Sequence, residues 1–163
     1  MISTAILTIS DKGSRGERED GTGPAIKNLL QKANTYEIEY YKVIPDEIDI
    51  IEAELKYVSD VLKLQLVLTN GGTGFAKRDV TPEATQRVIE KNVPGIGEAM
   101  RMNSLKITAK AMLSRGIAGI RGTTLIINLP GSPKAAVENL EFVLPALPHG
   151  IDILIGEASE CAR

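Results

Sequence analysis

The sequence predicts a single α/β domain, residues 1–163, built around a mostly parallel sheet. Strand-like and helix-like segments alternate along the chain without an internal repeat or a low-complexity linker, and this order is typical of α/β folds. With 163 residues, 43% of them hydrophobic, the chain is long enough for one substantial core. Right-handed crossovers make successive strands parallel, so their carboxyl ends share the edge where open α/β sheets bind ligands.

The first half of the chain contains three predicted strands with helices between them. Short apolar runs and period-2 alternation indicate the strands, and apolar residues at helical spacing indicate the longest helix. A proline near the start of the first helix fits the first helical position. In order, the predicted elements are strand 5–9, a mobile charged loop 10–23, helix 24–33, strand 36–44, helix 48–62 and strand 64–69.

The second half continues the alternation. Thr81 and Pro82 resemble the N-cap and first position of a helix. Residues 126–129 are an apolar run that predicts another buried strand, and a helix is expected from Lys134. His149 lies between Pro148 and Gly150 with no catalytic partner nearby in the sequence, so we interpret it as structural.

A glycine-rich turn follows the third predicted strand. Gly71, Gly72 and Gly74 carry no side chain, so their amides can approach a ligand closely and point at phosphate oxygens. Lys77 and Arg78 add positive charge. The third glycine of a dinucleotide fingerprint and the Gly-Lys-Ser/Thr ending of a Walker loop are both missing. The turn therefore predicts a phosphate site of another design, and the alternative is a plain tight connection between strand and helix.

Two aspartates are expected at the same edge. Asp46 follows the second strand directly and Asp79 follows the third. An acidic side chain beside an anion site is unfavourable unless a cation lies between them, so the pair predicts a divalent ion bound to a phosphate ligand. Hard oxygen ligands and partial water coordination favour Mg²⁺. The alternative for Asp46 is an ordinary N-cap of the following helix.

A second set of residues offers another anion site. The strand at 126–129 runs into a Pro/Gly turn and then a helix, whose amino terminus can bind an anion. Upstream, the hydroxyl of Ser114 and the fork-shaped guanidinium of Arg115 also suit a phosphate group. These residues are Ser114, Arg115, Pro130, Gly131, Ser132 and Pro133. The alternatives are a capped or solvated helix end for the first two and a plain turn for the others.

Composition and charge argue against nucleic acid and membranes as partners. The net charge is −2 and no basic block is present, so we expect no nucleic-acid binding. The amino terminus lacks a basic signal-type region, and no apolar run approaches the roughly 20 residues of a membrane span, so we expect a cytoplasmic protein and no membrane partner. Cys161 is the only cysteine, which excludes an internal disulfide and a cysteine metal cluster. We interpret it as incidental.

Several segments together resemble the molybdopterin adenylyltransferases of the MogA type and the corresponding G domains of gephyrin and its plant counterpart. The resemblance extends over nearly the whole chain, and the combination of segments is far more specific than any one of them. The matching segments are 7–11, 23–24, 44–47, 68–74, 78–84, 94–95, 104–108, 112–115, 119–122 and 125–133. The loop 12–20 is more highly charged than the family pattern.

The resemblance implies a three-layer α/β/α fold, usually trimeric, that binds molybdopterin and ATP. It implies adenylyl transfer from ATP to the terminal phosphate of molybdopterin, with Asp46 and Asp79 as the two aspartates needed for activity. On chemical grounds, the same two carboxylates are the expected ligands of Mg²⁺. The resemblance also implies substrate contacts from Thr8, Ser10, Asp11, Ser114, Arg115, the turn Thr69, Gly71, Gly72, Thr73 and Gly74, and residues Pro130, Gly131, Ser132 and Pro133.

Three hypotheses on function follow from the sequence. The first is the adenylyltransferase. The second is a MoaB-type protein that binds a pterin or nucleotide with little or no turnover, against which the presence of both Asp46 and Asp79 argues. The third is an unrelated enzyme that acts on a phosphate ligand. The resemblance also implies a homotrimer. Met100, Met102 and Leu105 are candidate contacts, and the equal alternative for them is packing in the core. Docking of a molybdenum-insertion enzyme is a further expectation.

Overall fold

The computed structural model describes residues 1–156, and Cys161 lies outside them. Helices cover both faces of a six-stranded sheet with the strand order β2-β1-β3-β6-β5-β4, which confirms the predicted α/β class and the three layers implied by the resemblance. β1, β2, β3 and β6 are mutually parallel, whereas β5 pairs antiparallel with β6 and with β4.

The described elements follow the alternation seen in the sequence. They are β1 (Ile2–Ile9), α1 (Asp11–Ser14), α2 (Thr22–Ala33), β2 (Tyr36–Ile44), α3 (Ile48–Lys56), β3 (Leu66–Asn70), α4 (Thr81–Val88), β4 (Lys91–Asn92), α5 (Pro94–Leu105), β5 (Ala118–Arg121), β6 (Thr124–Leu129), α6 (Pro133–Val143) and α7 (Leu147–Leu154). A π-helical turn (Tyr57–Val61) extends α3, and short 3₁₀ helices (Ala109–Leu113 and Leu144–Ala146) precede β5 and α7.

The boundaries differ from the predictions at a few places. The predicted mobile loop contains α1, because the Ser10 hydroxyl accepts a hydrogen bond from Gly13 N and caps a single helical turn. The predicted N-cap at Thr81 is wrong. Thr81 is already the first helical residue, and its hydroxyl donates to the Gly71 carbonyl at 2.9 Å. The Thr81 hydroxyl therefore fastens the glycine turn to α4 and does not cap the helix.

Each face of the sheet has its own apolar core. On one face, α2, α5, α6 and α7 pack on the strands through side chains that include Ile26, Leu30 and Leu140. On the other face, α3 and α4 cover Ala5, Leu7, Val67 and Ile126. The central strand β3 is buried along its whole length, as its unbroken apolar run at 66–68 predicts. None of the helices in the described range is long and apolar enough to cross a membrane.

Candidate active site

The order of the strands creates one crevice at the carboxyl edge of the sheet. β1 has β2 on one side and β3 on the other, and the connections from these strands diverge at this point. Such a switch point is where open α/β sheets bind ligands. The loops that follow β1, β2, β3 and β6 all end here, and they contain nearly all the candidate residues named above.

The glycine turn after β3 presents unused amides. Gly71 and Gly72 have positive φ angles of 94° and 67°, which side-chain-bearing residues rarely adopt. The Gly71 amide donates to the Leu129 carbonyl at 3.2 Å. Within the described part of the chain, the amides of Gly72, Thr73 and Gly74 have no hydrogen-bond acceptor. Three consecutive free N–H groups form a site that suits a phosphate group.

The turn after β6 packs directly against the glycine turn. A Cβ added to Gly131 would lie 3.3 Å from the Gly71 Cα, so the absence of a side chain lets the two turns touch. Ser132 is the N-cap of α6, and its hydroxyl accepts from Ala135 N at 3.2 Å. The amino terminus of α6 therefore faces the same crevice as the glycine turn, and both favour an anion there.

Arg115 holds the glycine turn in place. Its Nε donates to the Gly74 carbonyl at 2.8 Å, and its Nη2 donates to the Asp79 carbonyl at 2.7 Å. Its Nη1 forms an ion pair with Glu83. Each of the three guanidinium nitrogens thus has a partner within the protein, so Arg115 supports the glycine turn, and its contact with a substrate phosphate stays a prediction.

The Asp46 and Asp79 carboxylates lie against the glycine turn from two sides. A Cβ built on Gly72 would be 3.1 Å from Asp46 Oδ1, and one built on Gly74 would be 2.9 Å from Asp79 Oδ2. The structure thus brings together the two aspartates that the sequence paired. The N-cap alternative for Asp46 is excluded, because Glu47 occupies the N-cap position of α3 and Asp46 Oδ2 instead accepts from Asp11 N at 2.9 Å.

The electrostatics of the two carboxylates are coupled. Burial raises the pKa of the Asp46 carboxyl above its ordinary value, and the charges of Asp11 and Asp79 raise it further. Asp79 Oδ2 accepts from Ala76 N at 2.9 Å, which closes the short loop before α4. One oxygen of each carboxylate thus has a fixed internal partner, and the other oxygen of each remains available to a cation.

Asp11 connects three of the loops. Its carboxylate accepts from Asp46 N at 3.1 Å and from Arg78 Nε at 2.5 Å. Arg78 also donates to Glu47 Oε1 at 2.7 Å. The Arg78 guanidinium holds the pKa of Asp11 below its usual range. Asp11, which the resemblance suggested as a substrate contact, is therefore occupied as a brace in this structure, and Arg78 is occupied with it.

Asp20 is a site residue that the sequence reasoning missed. Its carboxylate accepts from Thr8 Oγ1 at 2.6 Å, from Tyr41 Oη at 2.5 Å and from the amides of Thr22 and Gly23 at 2.9 and 3.0 Å. It thereby caps α2. Burial alone would raise the pKa of Asp20, but these hydrogen bonds outweigh burial and lower the pKa. An acidic residue just before a helix that opens with proline is a recognised start signal, and it was available in the sequence.

Thr8 and Thr69 have side chains that are already committed. Thr8 Oγ1 donates to Asp20 and accepts from Asn70 Nδ2 at 2.9 Å, so its hydrogen is not available to a ligand. Thr69 is fully buried, and its hydroxyl accepts from Asn128 Nδ2 at 3.0 Å. Thr8 borders the crevice as a wall, whereas Thr69 supports the sheet beneath the turn.

Two hollows lie on either side of the paired turns. A cleft of about 590 Å³ is lined by Ser10, Gly71, Gly131, Ser132 and Pro133, together with the loop 18–22. A second hollow of about 320 Å³ has mainly apolar walls. Its lining includes Thr73, Gly74, Met100, Ser104, Ile107, Leu113, Ser114 and Pro130. The predicted contacts therefore divide between two neighbouring hollows that meet at the glycine turn.

The donor set fits a metal ion only as part of a ligand complex. Within residues 1–156, no group of three Asp, Glu, His or Cys side chains is arranged to hold a metal ion. Mg²⁺ commonly binds through one or two carboxylates plus phosphates of the substrate. Asp46 and Asp79, beside free amides that suit a phosphate, match that arrangement.

Comparison with known proteins agrees with the geometry. The chain is 48% identical over 156 residues to the molybdopterin adenylyltransferase of Helicobacter pylori strain 26695, covering 95% of this chain and 89% of that protein. It is 45% identical to the molybdopterin adenylyltransferase of Escherichia coli K12, covering 92% and 80%. The crystal structure of the molybdopterin biosynthesis enzyme MoaB from Thermus thermophilus superimposes with a TM-score of 0.91 at 51% identity, covering 96% and 98%.

A family model described as "Probable molybdopterin binding domain" matches residues 5–149. This match includes the glycine turn, both aspartates and the turn after β6. The chain therefore belongs to the molybdopterin-binding domain family of molybdenum cofactor biosynthesis.

Proposed function

We propose that the protein transfers the adenylyl group of ATP to the terminal phosphate of molybdopterin. The observation that carries this proposal is that the Asp46 and Asp79 carboxylates pack closely on the glycine turn. A Cβ built on Gly72 or Gly74 would lie about 3 Å from one of their oxygens, and the amides at 72–74 are free. Curated relatives that are 45–48% identical carry the same activity in their names. A binding protein without turnover is the weaker alternative, because binding of a pterin alone does not require the Asp46 and Asp79 carboxylates.

The two hollows suggest how the substrates divide. The 590 Å³ cleft is the more polar one and runs along the amino terminus of α6, so we assign ATP to it. The 320 Å³ hollow has mainly apolar walls that include Met100, Ile107 and Leu113, and its polar groups include Ser104, Ser114, Arg101, Lys110, Asn128, Glu138 and Asn139. Apolar walls with a few polar groups suit the flat, polar-edged pterin ring. The two phosphates then meet at the glycine turn, where the hollows adjoin.

Transfer requires in-line attack by an oxygen of the molybdopterin phosphate on the α-phosphorus of ATP. A new P–O bond forms, the bond between the α-phosphorus and the α,β-bridging oxygen breaks, and pyrophosphate leaves with the electron pair. The attacking phosphate is already anionic near neutral pH, so no general base is needed. Catalysis is then mostly positioning and neutralisation of charge.

Each part of the site has a role in this reaction. The amides of Gly72, Thr73 and Gly74 hold phosphate oxygens, and Arg115 keeps that turn rigid by bonding to the Gly74 carbonyl. Asp46 and Asp79 would hold Mg²⁺, which would supply neutralisation of the phosphate charge when bound. Asp11 fixes the Asp46 carboxylate through its amide, so that the free oxygen of Asp46 faces the turn.

A homotrimer is also part of the proposal. Met100 is 5% exposed and packs in the core, which removes it from the predicted contacts. Met102 and Leu105, also predicted, are 68% and 43% exposed. Ile107, Met112 and Phe142 are other large apolar side chains with exposed surface in the same part of the chain or on α6. Exposed apolar side chains in this number favour association between copies. Cytoplasmic location and a molybdenum-insertion partner stay predictions from the sequence.

The proposed function is tested by incubating the protein with molybdopterin, ATP and magnesium and measuring pyrophosphate and adenylyl-molybdopterin. We expect both products in equal amounts. Saturable binding of molybdopterin with no pyrophosphate release would contradict the transferase and favour the binding protein.

A further inference from the structure

The charged loop between β1 and α2 places an arginine on the wall of the larger cleft. Arg18 lines the 590 Å³ cleft and is its one cationic side chain among the described residues. The other arginines of the site are engaged, Arg78 with Asp11 and Glu47 and Arg115 with the glycine turn and Glu83. Arg18 has no hydrogen-bond or ion-pair partner within residues 1–156.

The loop is anchored close to Arg18. Asp20, two residues further on, accepts four hydrogen bonds that tie the loop to β1, β2 and the start of α2. On the other side, Arg15 and Glu17 pair with each other through two contacts of 2.9 and 3.0 Å. The backbone beside Arg18 is thus held on the cleft wall, while its own side chain is exposed and can reach into the cleft.

The charge of the cleft also requires a cation. Glu19 and Asp20 line it together with Arg18, and the charge of Asp20 is offset by four donors. The triphosphate of ATP carries several negative charges, and the free amides of the glycine turn can meet only the phosphates closest to that turn. We propose that Arg18 binds the β- and γ-phosphates of ATP, the part that leaves as pyrophosphate, and so raises the affinity of the cleft for the triphosphate.

This inference rests on the proposed function, because it places ATP in the cleft. It goes further by naming the residue that distinguishes ATP from AMP. A guanidinium suits this contact, since it can donate two parallel hydrogen bonds to phosphate oxygens. The charge of Glu19 beside it limits how much the exposed Arg18 contact contributes.

The experiment measures dissociation constants for ATP, ADP and AMP, each with magnesium, by calorimetry. The proteins are wild type, Arg18→Gln, Arg18→Lys and the matched control Arg15→Gln. Arg15 belongs to the same loop and its replacement removes the same charge, but it is paired with Glu17 and does not line the cleft. Molybdopterin binding and thermal melts establish that each variant is folded.

We expect Arg18→Gln to weaken ATP binding about five- to tenfold, as for an exposed charged contact, to weaken ADP binding less and to leave AMP unchanged. Arg18→Lys should recover part of the ATP affinity, and Arg15→Gln should match wild type. Unchanged ATP affinity in Arg18→Gln, an equal loss for AMP, or an equal loss in Arg15→Gln would overturn the assignment. Failure of the wild type to bind ATP would instead refute the nucleotide part of the proposed function.

Discussion

Replacing Asp79 with asparagine removes one of the two carboxylates without disturbing the loop that holds it. The Asp79 carboxylate accepts one hydrogen bond, from Ala76 N at 2.9 Å, and the amide oxygen of asparagine can accept the same bond. The side chain is only partly buried, so the change in the free energy of unfolding should stay within about 0.5 kcal/mol. The loss should therefore fall on catalysis.

The size of that loss follows from the role assigned to the carboxylate. A charge that stabilises the transition state typically contributes about 2.7 to 4 kcal/mol, equivalent to a loss of roughly 10² to 10³ in kcat. We expect Asp79→Asn to lose turnover in this range, and Asp46→Asn to do likewise. In Asp46→Asn the asparagine oxygen can still accept from the Asp11 amide, which keeps the connection to α1.

The assay is pyrophosphate release under saturating molybdopterin and ATP, with circular dichroism and thermal melts as controls for folding. Glu47→Gln is a matched control, because Glu47 is an exposed carboxylate next to Asp46 that pairs with Arg78 and does not contact the turn. Adenylation at the wild-type rate by folded Asp79→Asn would refute the role of Asp79, and a loss of the same size in Glu47→Gln would show a general charge effect.

Three further predictions concern the turn, the cap and the assembly. Gly72→Val should mainly destabilise the fold, because φ at Gly72 is positive and an added Cβ would overlap Thr81 Oγ1. Gly74→Ala should weaken ATP binding more than it lowers the Tm, because the added Cβ would contact only the Asp79 carboxylate, with one oxygen at 2.9 Å. Thermal melts and calorimetry on both variants test this, and an unchanged ATP affinity in Gly74→Ala would contradict it. The pKa of Asp20 is lowered below 3.8 in the fold, so its contribution to stability is fully present above that pH and is lost as pH falls through the lowered pKa; urea titrations of wild type and Asp20→Asn at pH 6 and pH 3 should show the larger difference at pH 6. Light scattering at micromolar concentration should give a trimer, and Met102→Glu with Leu105→Glu should give a monomer of 17.5 kDa; an active wild-type monomer would contradict the assembly.

Much of the fold and the centre of the site could be predicted because they depend on local sequence. The apolar run at 66–68 predicts a buried strand whichever strands lie beside it in the sheet. The second strand was predicted at the bounds observed for β2, Tyr36–Ile44. Asp46 and Asp79 follow successive strands, and parallel strands bring their carboxyl ends to one edge. The spacing of Gly71, Gly72 and Gly74 predicts a tight turn without any other information.

The roles of the charged side chains could not be predicted, because they depend on which loops meet. The sequence does not show that Arg115 reaches back 41 residues to the Gly74 carbonyl, or that Asp11 meets Arg78 across 67 residues. From the sequence, Arg115 was therefore a candidate phosphate ligand and Arg78 a source of positive charge beside the turn. Thr81 looked like a cap because its spacing before Pro82 fits one, whereas the tertiary contact with Gly71 takes its hydroxyl.

We propose that Asp46 and Asp79 hold magnesium against the phosphates of ATP. The most direct test is to measure ATP and molybdopterin affinity with magnesium and with a chelator, in wild type and in Asp46→Asn/Asp79→Asn. Without the ion, two carboxylates face the triphosphate unscreened, a repulsion of about 1 to 4 kcal/mol per close charge pair. We expect chelation to weaken ATP binding strongly in wild type, to affect molybdopterin less, and to have little effect in the double variant. ATP binding that is independent of magnesium and identical in the two proteins would contradict a magnesium ion held by Asp46 and Asp79.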